Sequence, residues 1–112
     1  MAEAETAIHV CDAAVTLAFS VLGKRWNGMI VSSLGGGPAT FVALRRAVSG
    51  ISDTVLSDRL AELAQAGLID RTVDAGPPVT VSYALTDSGE RLLPILSELG
   101  QWAAANLEVP AH

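Results

Sequence analysis

The side chains of this sequence that are best suited to binding chemistry are basic and hydroxyl-bearing ones, concentrated between residues 24 and 59. Arginine and lysine pair with phosphate oxygens, whereas serine, threonine and aspartate exchange hydrogen bonds with the edges of bases. Together these residue types suit contact with double-stranded DNA. The candidates for phosphate contacts are Arg45, Arg46, Arg59, Lys24 and Arg25, and those for base contacts are Ser52, Thr54, Ser57 and Asp58.

The net charge of -5 is an objection to a nucleic-acid partner, because much of the affinity for DNA comes from neutralising phosphates. The distribution of the charge reduces this objection. Between Lys24 and Arg71, six basic residues and four acidic ones give +2, and the rest of the chain carries -7. The alternative is that these are ordinary solvated surface charges. For Arg59, at the border of a predicted buried face, a stem packed on the core with a solvated head is the competing interpretation.

Two short helices joined by a tight turn, at about residues 40–66, are predicted to position these candidates. Apolar residues recur at helical spacing in both: Phe41, Leu44 and Val48 in the first, and Leu56, Leu60 and Leu63 in the second. Gly50 breaks the pattern, Ser52 is a natural N-cap, and Gly67 is a natural stop. This is the arrangement of a DNA-reading helix-turn-helix. The face opposite the leucines carries Thr54, Asp58, Ala61 and Gln65, with Ser57 at its edge.

A β-hairpin is predicted directly after the second helix, at about residues 68–85. Val79, Val81, Tyr83 and Leu85 alternate with smaller or polar residues, which is typical of a half-buried strand, and residues 75–78 form a Gly-Pro turn. A hairpin in this position is a wing, whose tip can reach the DNA backbone. Arg71 lies at its base and the turn carries no Lys or Arg, so we expect the tip to add little to phosphate binding.

Helices at the two ends of the chain, about residues 12–22 and 87–107, are predicted to join two copies of it. Asp12 and Thr86 are suited to cap them, and both helices carry apolar stripes. The second stripe offers more apolar surface than so small a core needs, which favours a homodimer. The alternative is that the two helices pack on each other within one subunit. A further helix is expected from about Arg25, and Pro94 is expected to bend the last one.

Several other classes of protein lack support in this sequence. One cysteine excludes an intrachain disulfide, and two scattered histidines offer no metal site. There is no nucleophile–base pair and no phosphate-cradling loop, so we expect no catalytic residues, no cofactor and no enzyme. No apolar run approaches the roughly 18 residues of a membrane span. The acidic start lacks the features of a signal peptide, which favours the cytoplasm.

The order of these motifs resembles the HxlR-type family of bacterial winged-helix regulators, relatives of the MarR group. The matching residues are Cys11, Leu22 to Trp26, Gly37-Pro38, Phe41, Leu44 to Arg46, Gly50 to Ser52, Leu56, Leu60 to Leu63, Gly67 to Ile69, Tyr83 to Thr86, Gly89, Leu92 to Leu96 and Trp102. The resemblance covers roughly residues 11 to 103. It implies a homodimer that binds a short inverted repeat and represses or activates nearby genes.

The sequence departs from the family pattern at several positions. The family's recognition helices usually carry Lys, Gln or Arg where this chain has Asp53, Thr54 and Asp58. An acidic side chain there repels phosphate, although aspartate can accept a hydrogen bond from cytosine N4. Ala39 replaces a frequent lysine, and Asp12 replaces a common proline.

Two further sites are candidates for an effector. Some relatives sense electrophiles or oxidants through a cysteine at the position of Cys11, and a helix amino end favours the thiolate. The neighbouring Asp12 opposes it, and an inert, half-buried thiol is the alternative. Phe19, Trp26 and Trp102 are candidates for lining a small-molecule pocket, with simple core packing as the alternative.

The sequence thus predicts one domain, residues 1–112, that is mainly α with a small β-hairpin (α+β), a winged helix-turn-helix. The functional hypothesis is a dimeric transcriptional regulator on a pseudo-palindromic operator, responsive to a small molecule or to thiol oxidation. The competing hypothesis is a winged-helix protein-interaction module with weak or no DNA binding, which the acidic composition and Asp53 and Asp58 favour.

Overall fold

The computed structural model describes residues 8–108, in which helices surround a small antiparallel sheet. In chain order the elements are α1 (Ala13–Leu22), α2 (Asn27–Ser33), a 3-10 turn (Leu34–Gly36), β1 (Ala39–Thr40), α3 (Phe41–Ala47), α4 (Asp53–Gln65), β2 (Ile69–Asp74), β3 (Thr80–Leu85) and α5 (Asp87–Asn106). The predicted α+β winged helix-turn-helix is confirmed, with α3 and α4 as the helix pair and β2 and β3 as the wing.

Four helices begin at a side chain that accepts a hydrogen bond from the first turn, which satisfies an otherwise unpaired backbone N–H. Asp12 accepts from the N–H of Ala14 at 2.7 Å. Ser52 accepts from Val55 and Thr86 from Gly89, both at 3.2 Å. These three caps were predicted and are confirmed. Thr40 caps α3 in the same way, accepting from the N–H of Ala43 at 3.2 Å, and was not predicted.

The core is built from the apolar faces of α2, α3 and α4 and the start of β2. Leu56, Leu60 and Leu63 are at most 2 % exposed, so the predicted buried side of α4 is confirmed. Their burial fixes the rotation of α4 about its axis. The other buried apolar residues are Ile30, Val31, Leu34, Leu44, Val48, Ile51 and Ile69.

A glycine-dependent motif turns the chain from α4 into β2. Gly67 has a φ of +81°, in the left-handed region that favours glycine. The N–H of Leu68 donates to the carbonyl oxygen of Leu63, and that of Gly67 to the oxygen of Ala64, each at 3.0 Å. These are the two hydrogen bonds of a Schellman motif. The wing therefore begins directly against the carboxyl end of the second helix.

The sheet has the strand order β1-β3-β2, with all pairs antiparallel. In the hairpin, Ile69 pairs with Leu85 and Asp74 with Thr80, which places residues 75–79 at the tip. The short third strand, β1, was not revealed by the sequence pattern. Its Ala39 pairs with Tyr83 of β3. The sheet thus ties the segment before α3 to the wing.

The start of α2 differs from the prediction. The helix begins at Asn27 and not near Arg25, because Trp26 has a φ of 85°, a left-handed conformation that interrupts a right-handed helix. Asn27 is fully buried and donates from Nδ2 to the carbonyl oxygen of Val21 at 2.7 Å. This hydrogen bond links the end of α1 to the start of α2.

The terminal helices expose much of their apolar surface. Both helices lie within residues 8–108. In α1 no residue is buried, and in α5 only Gly89 is buried. Leu92, Leu93 and Leu96 pack against the core from one side of α5, which runs through Pro94 as one helix. No helix within residues 8–108 is both long and apolar enough to cross a membrane.

Candidate nucleic-acid interface

The outward face of α4 is polar and exposed along its whole length. With the three leucines turned inward, the residues on the opposite side are all solvent-exposed: Thr54, Ser57, Asp58, Ala61 and Gln65. The hydroxyl of Ser52 is already engaged as the helix cap, although it can still donate a hydrogen bond. The structure therefore brings Thr54, Ser57 and Asp58 together on one surface and places Ser52 at its amino end.

Arg45 is held by an acidic residue of the neighbouring helix. Its Nη1 donates to both carboxylate oxygens of Asp53, at 3.0 and 3.1 Å. Arg45 lies in the last turn of α3 and Asp53 in the first turn of α4, so the ion pair spans the turn between the two helices. Both side chains are well exposed, at 42 and 62 %, and the pair is open to competition by other ions.

Glu62 of α4 accepts hydrogen bonds from three side chains. Its carboxylate accepts hydrogen bonds from the Lys24 ammonium, from Nδ2 of Asn27 at 3.2 Å and from Nη1 of Arg59 at 3.2 Å. The hydrogen bonds from Lys24 and Asn27, with the positive charges of Lys24 and Arg59, lower the pKa of Glu62 from 4.5 to about 2. Glu62 thus stays ionised and fixes the α1–α2 junction to α4.

The ion pair with Glu62 bears on whether Arg59 contacts phosphate or packs its stem on the core. Its side chain is only 28 % exposed, and its Nε is buried with no hydrogen-bond partner in the described part of the chain. A guanidinium held against Glu62 in this way matches the packed-stem interpretation better than a phosphate contact. Lys24 is 49 % exposed but shares the same carboxylate.

Three of the six basic side chains between Lys24 and Arg71 form no ion pair within residues 8–108. Within residues 8–108, Arg25, Arg46 and Arg71 have no carboxylate at ion-pairing distance. Arg46 is exposed on α3 next to Arg45. The guanidinium of Arg25 instead lies over the ring of Trp26, 4.3 Å from its centroid, in a cation–π contact. Asp53 and Glu62 therefore pair with three of the six basic side chains between Lys24 and Arg71, namely Lys24, Arg45 and Arg59.

The three aromatic candidates for an effector pocket do not meet in one groove of this protomer. Phe19 lines a groove of about 410 Å³ between α1 and α5, together with Ile95 and Leu99. Trp26 lies instead at the helix-turn-helix, where a Cβ on Gly50 would be 3.6 Å from its Cη2. Trp102 is 54 % exposed on α5 and does not line this groove. A second apolar groove has a volume of about 280 Å³. It lies between α1 on one side and Leu68 and Leu92 on the other.

Cys11 is exposed and directly precedes the cap of α1. Its Sγ lies 3.3 Å from the hydroxyl oxygen of Thr16 and 3.6 Å from the carbonyl oxygen of Asp12. The thiol is therefore accessible and not half-buried as in the inert alternative. In residues 8–108 no three metal-ligating side chains come together.

Sequence reasoning missed the roles of Asp53 and Glu62 as partners of the cations. The Arg59–Glu62 spacing of three residues on a helix was a usable signal. The pairing of Lys24 with Glu62, 38 residues apart, and of Arg45 with Asp53 across a turn had no local signal.

The fold and the exposed face of α4 define a transcriptional regulator with a winged helix-turn-helix. The chain belongs to the HxlR-like helix-turn-helix family, whose model matches residues 21–110. It is similar to the HTH-type transcriptional regulator YodB of Bacillus subtilis (strain 168), with 42 % identity over 86 residues, 77 % of each chain.

Solved structures agree with this assignment. The reduced form of YodB has a TM-score of 0.80 and 36 % identity, covering 91 % of this chain and all of YodB. Quinone-bound YodB has a TM-score of 0.73 and 36 % identity, covering 84 % of this chain and 99 % of that one. The oxidised form of the redox regulator HypR has a TM-score of 0.79 and 30 % identity, covering 87 % of this chain and all of HypR.

Proposed function

We propose that this protein regulates transcription as a homodimer bound to a pseudo-palindromic DNA operator. In this proposal α4 of each protomer enters the major groove and Thr54, Ser57 and Asp58 contact base edges. The observation that carries the proposal is the polar face of α4, fully exposed on a helix whose other side is locked into the core.

The exposed apolar surface of the terminal helices supports the homodimer. On α5, Ile95, Leu99 and Trp102 are 51 to 58 % exposed and recur at i, i+4 and i+7, so they form one stripe. Phe19 of α1, 60 % exposed, lies in the adjoining groove. A stripe of this kind on a small domain is typical of a surface that a partner covers. A second copy of the chain supplies an identical stripe, and a twofold axis would pair the two.

Dimerisation has a direct consequence for the operator. The two α4 helices should lie about one turn of DNA apart, on the order of 34 Å, and so read two related half-sites. Arg46 and, after release from Asp53, Arg45 would contact the phosphate backbone beside each half-site. The protein would act in the cytoplasm, where the chromosome lies, and by binding alone, without catalysis.

We place the response to an effector at Cys11 in this proposal. Its thiol is exposed, and relatives of this fold include a quinone-bound YodB and a redox regulator, HypR, in oxidised form. A two-electron oxidant such as a quinone would accept two electrons and two protons while the Cys11 thiols of two protomers, or one thiol and a small thiol, join in a disulfide. Because Cys11 directly precedes α1, such a bond would act on the helices proposed to form the dimer.

The proposal is tested by a gel-shift titration of wild type and variants on DNA upstream of the protein's own gene. Replacing Arg45 and Arg46 together with alanine should weaken binding to any sequence, whereas Asp58→Ala should change which sequence is preferred. Arg91→Ala is the matched control, because Arg91 is an exposed arginine on α5, outside the proposed interface. If the arginine pair can be removed without loss of affinity, α4 does not lie in the groove as proposed.

A second candidate function is a protein-interaction module that has lost DNA binding. Asp53 and Glu62 hold three of the cations, and Asp58 lies in the middle of the exposed face, so the surface is less basic than its arginine content suggests. This alternative predicts a stable dimer that does not retard its own promoter DNA even at low salt.

A further inference from the structure

A small cleft separates the recognition helix α4 from the wing. It has a volume of about 160 Å³ and its lining residues are Ser57, Leu60, Ala61, Ala64, Arg71 and Tyr83. The cleft opens beside Ser57 and Ala61, which belong to the exposed face of α4. It therefore adjoins the surface proposed to enter the major groove.

Strand register explains why Arg71 and Tyr83 line this cleft. The two residues are direct cross-strand partners, so their side chains leave the hairpin on the same face. Ile69, two residues before Arg71, is 1 % exposed and marks that face as the one turned towards the core. Asp70, the adjacent acidic residue, lies on the opposite face. The exposed side chain of Arg71 consequently lies on the side of the hairpin that faces α4.

The chemistry of the cleft suits an anion. Arg71 supplies a guanidinium with no carboxylate at ion-pairing distance in the described part of the chain, and Tyr83 supplies a phenol hydroxyl that can donate a hydrogen bond. No acidic residue lines the cleft. The cleft is smaller than the roughly 300 Å³ at which pockets for small organic ligands begin. These properties favour a single small anionic group over a drug-sized effector.

We propose that this cleft, with Arg71 and Tyr83 as its donors, binds one phosphate of the DNA backbone beside the recognition helix. The proposal rests on the DNA-binding function proposed above. Arg71 is the only basic residue in the hairpin segment 69–85, so the wing would contact DNA through its base and not through its tip. The recognition helix would then have a backbone contact from α3 on one side and from the wing on the other.

The proposal predicts how the affinity depends on salt. Each lost phosphate contact makes the slope of log K against log salt less negative by about 0.9, so loss of Arg71 from both protomers makes it less negative by about 1.8. The ratio of wild-type to Arg71→Met affinity should therefore fall about twelvefold between 50 and 200 mM salt. Methionine keeps an apolar stem against Ala61 and Ala64 and removes the charge. Tyr83→Phe should weaken binding about threefold per protomer and about ninefold for the dimer, as expected for one lost hydrogen bond in each protomer.

The experiment is a fluorescence-anisotropy titration of each variant on the operator and on a scrambled duplex, at several salt concentrations. The expected result is an equal loss on both duplexes for Arg71→Met and a restored slope for Arg71→Lys, because a phosphate contact needs charge but no base identity. Arg91→Ala should keep the wild-type slope. Circular dichroism melting of each variant separates loss of the contact from loss of the fold.

The possible results distinguish this proposal from the one on which it rests. If the wild type binds DNA and Arg71→Met keeps the wild-type slope, the cleft does not hold a phosphate, although the proposed function stands. The cleft is also excluded if Arg71→Lys fails to restore the slope while melting normally. If the wild type binds neither duplex at 50 mM salt, both proposals are wrong.

Discussion

Replacing Asp53 with asparagine should make the protein bind DNA more tightly. In the structure, Arg45 is occupied by Asp53, with both carboxylate oxygens within 3.1 Å of its Nη1. The carboxylate of Asp53 holds Nη1 and offsets the positive charge of the guanidinium, so Asp53 competes with a DNA phosphate for Arg45. Asp53→Asn removes the competitor and leaves Arg45 available.

The size of the effect follows from the exposure of the ion pair. Because both partners are more than a third exposed, the pair is worth only about 0.5 kcal/mol after solvent screening. Its removal should raise affinity about twofold per protomer and about fivefold for a dimer. Asp53 also lies in the first turn of α4, where a negative charge favours the helix by about 0.5 kcal/mol, so losing this charge and the ion pair together should lower stability by about 1 kcal/mol. Tighter binding and a lower melting temperature should therefore appear together.

A double-mutant cycle with Arg45→Ala isolates the competition from simple charge repulsion. Asp53→Asn also removes a negative charge near the phosphates, but that gain does not depend on Arg45. Anisotropy titrations at 50 mM salt should show a larger gain from Asp53→Asn in the wild-type background than in Arg45→Ala. Asp58→Asn removes an acid of the same helix that forms no ion pair within residues 8–108, so whatever change in affinity it causes should be the same in both backgrounds. Equal gains from Asp53→Asn in the two backgrounds would show that Asp53 does not compete with DNA for Arg45.

Three further predictions concern stability and assembly. The pKa of Glu62 is lowered from its ordinary value of 4.5 to about 2 in the folded protein. Its ion pairs therefore stabilise the fold fully above about pH 4.5, and this stabilisation is lost as the pH falls towards 2. Glu62→Gln should flatten that part of an acid-unfolding curve. Gly50→Ala should cost about 1–2 kcal/mol in urea unfolding, because Gly50 has a φ of +94°. Leu99→Glu should convert the dimer to a monomer in light scattering, because it places a charge in the exposed apolar stripe of α5.

Each of these has an outcome that would contradict it, and the last two also have a control variant within the chain. Acid unfolding that is unchanged in Glu62→Gln would show that the carboxylate is not held by Lys24 and Asn27 in solution. For the glycine, Gly36→Ala is the comparison, since a Cβ there meets nothing within 4 Å; equal costs at the two sites would count against conformational strain. Ser97→Glu, on the same helix, should leave the dimer intact, and a Leu99→Glu variant that remains dimeric would exclude this stripe as the interface.

Most elements of the fold could be predicted because they have a local signal. The leucines of α4 recur at helical spacing, Ser52 is a capping residue, and Gly67 has the freedom that the Schellman motif needs. Where the local signal misleads, the prediction fails: Trp26 continues an apolar helical pattern, yet its backbone is left-handed and α2 begins one residue later. The strand β1 has two residues, too few for any alternation to be visible.

The residues of the candidate site could be predicted from the sequence, but the ion pairs that its basic side chains form could not. The spacing of residues 54 to 61 is sufficient to identify the exposed face of α4. It does not show that Lys24 reaches Glu62 or that Arg45 turns to Asp53, because those contacts depend on how separate helices pack. For the same reason the cleft at Arg71 could not be found, since it needs the register of two strands and their position against a helix.

The proposed function requires that the exposed face of α4 reads a specific DNA sequence. The most direct test is an anisotropy titration of the wild-type protein against DNA upstream of its own gene and against a scrambled duplex, at 50 and 200 mM salt. We predict tight binding to the upstream DNA, weaker binding to the scrambled duplex, and affinity for both that falls steeply with salt. Equal affinity for the two duplexes, or no binding to either at 50 mM salt, would contradict the claim.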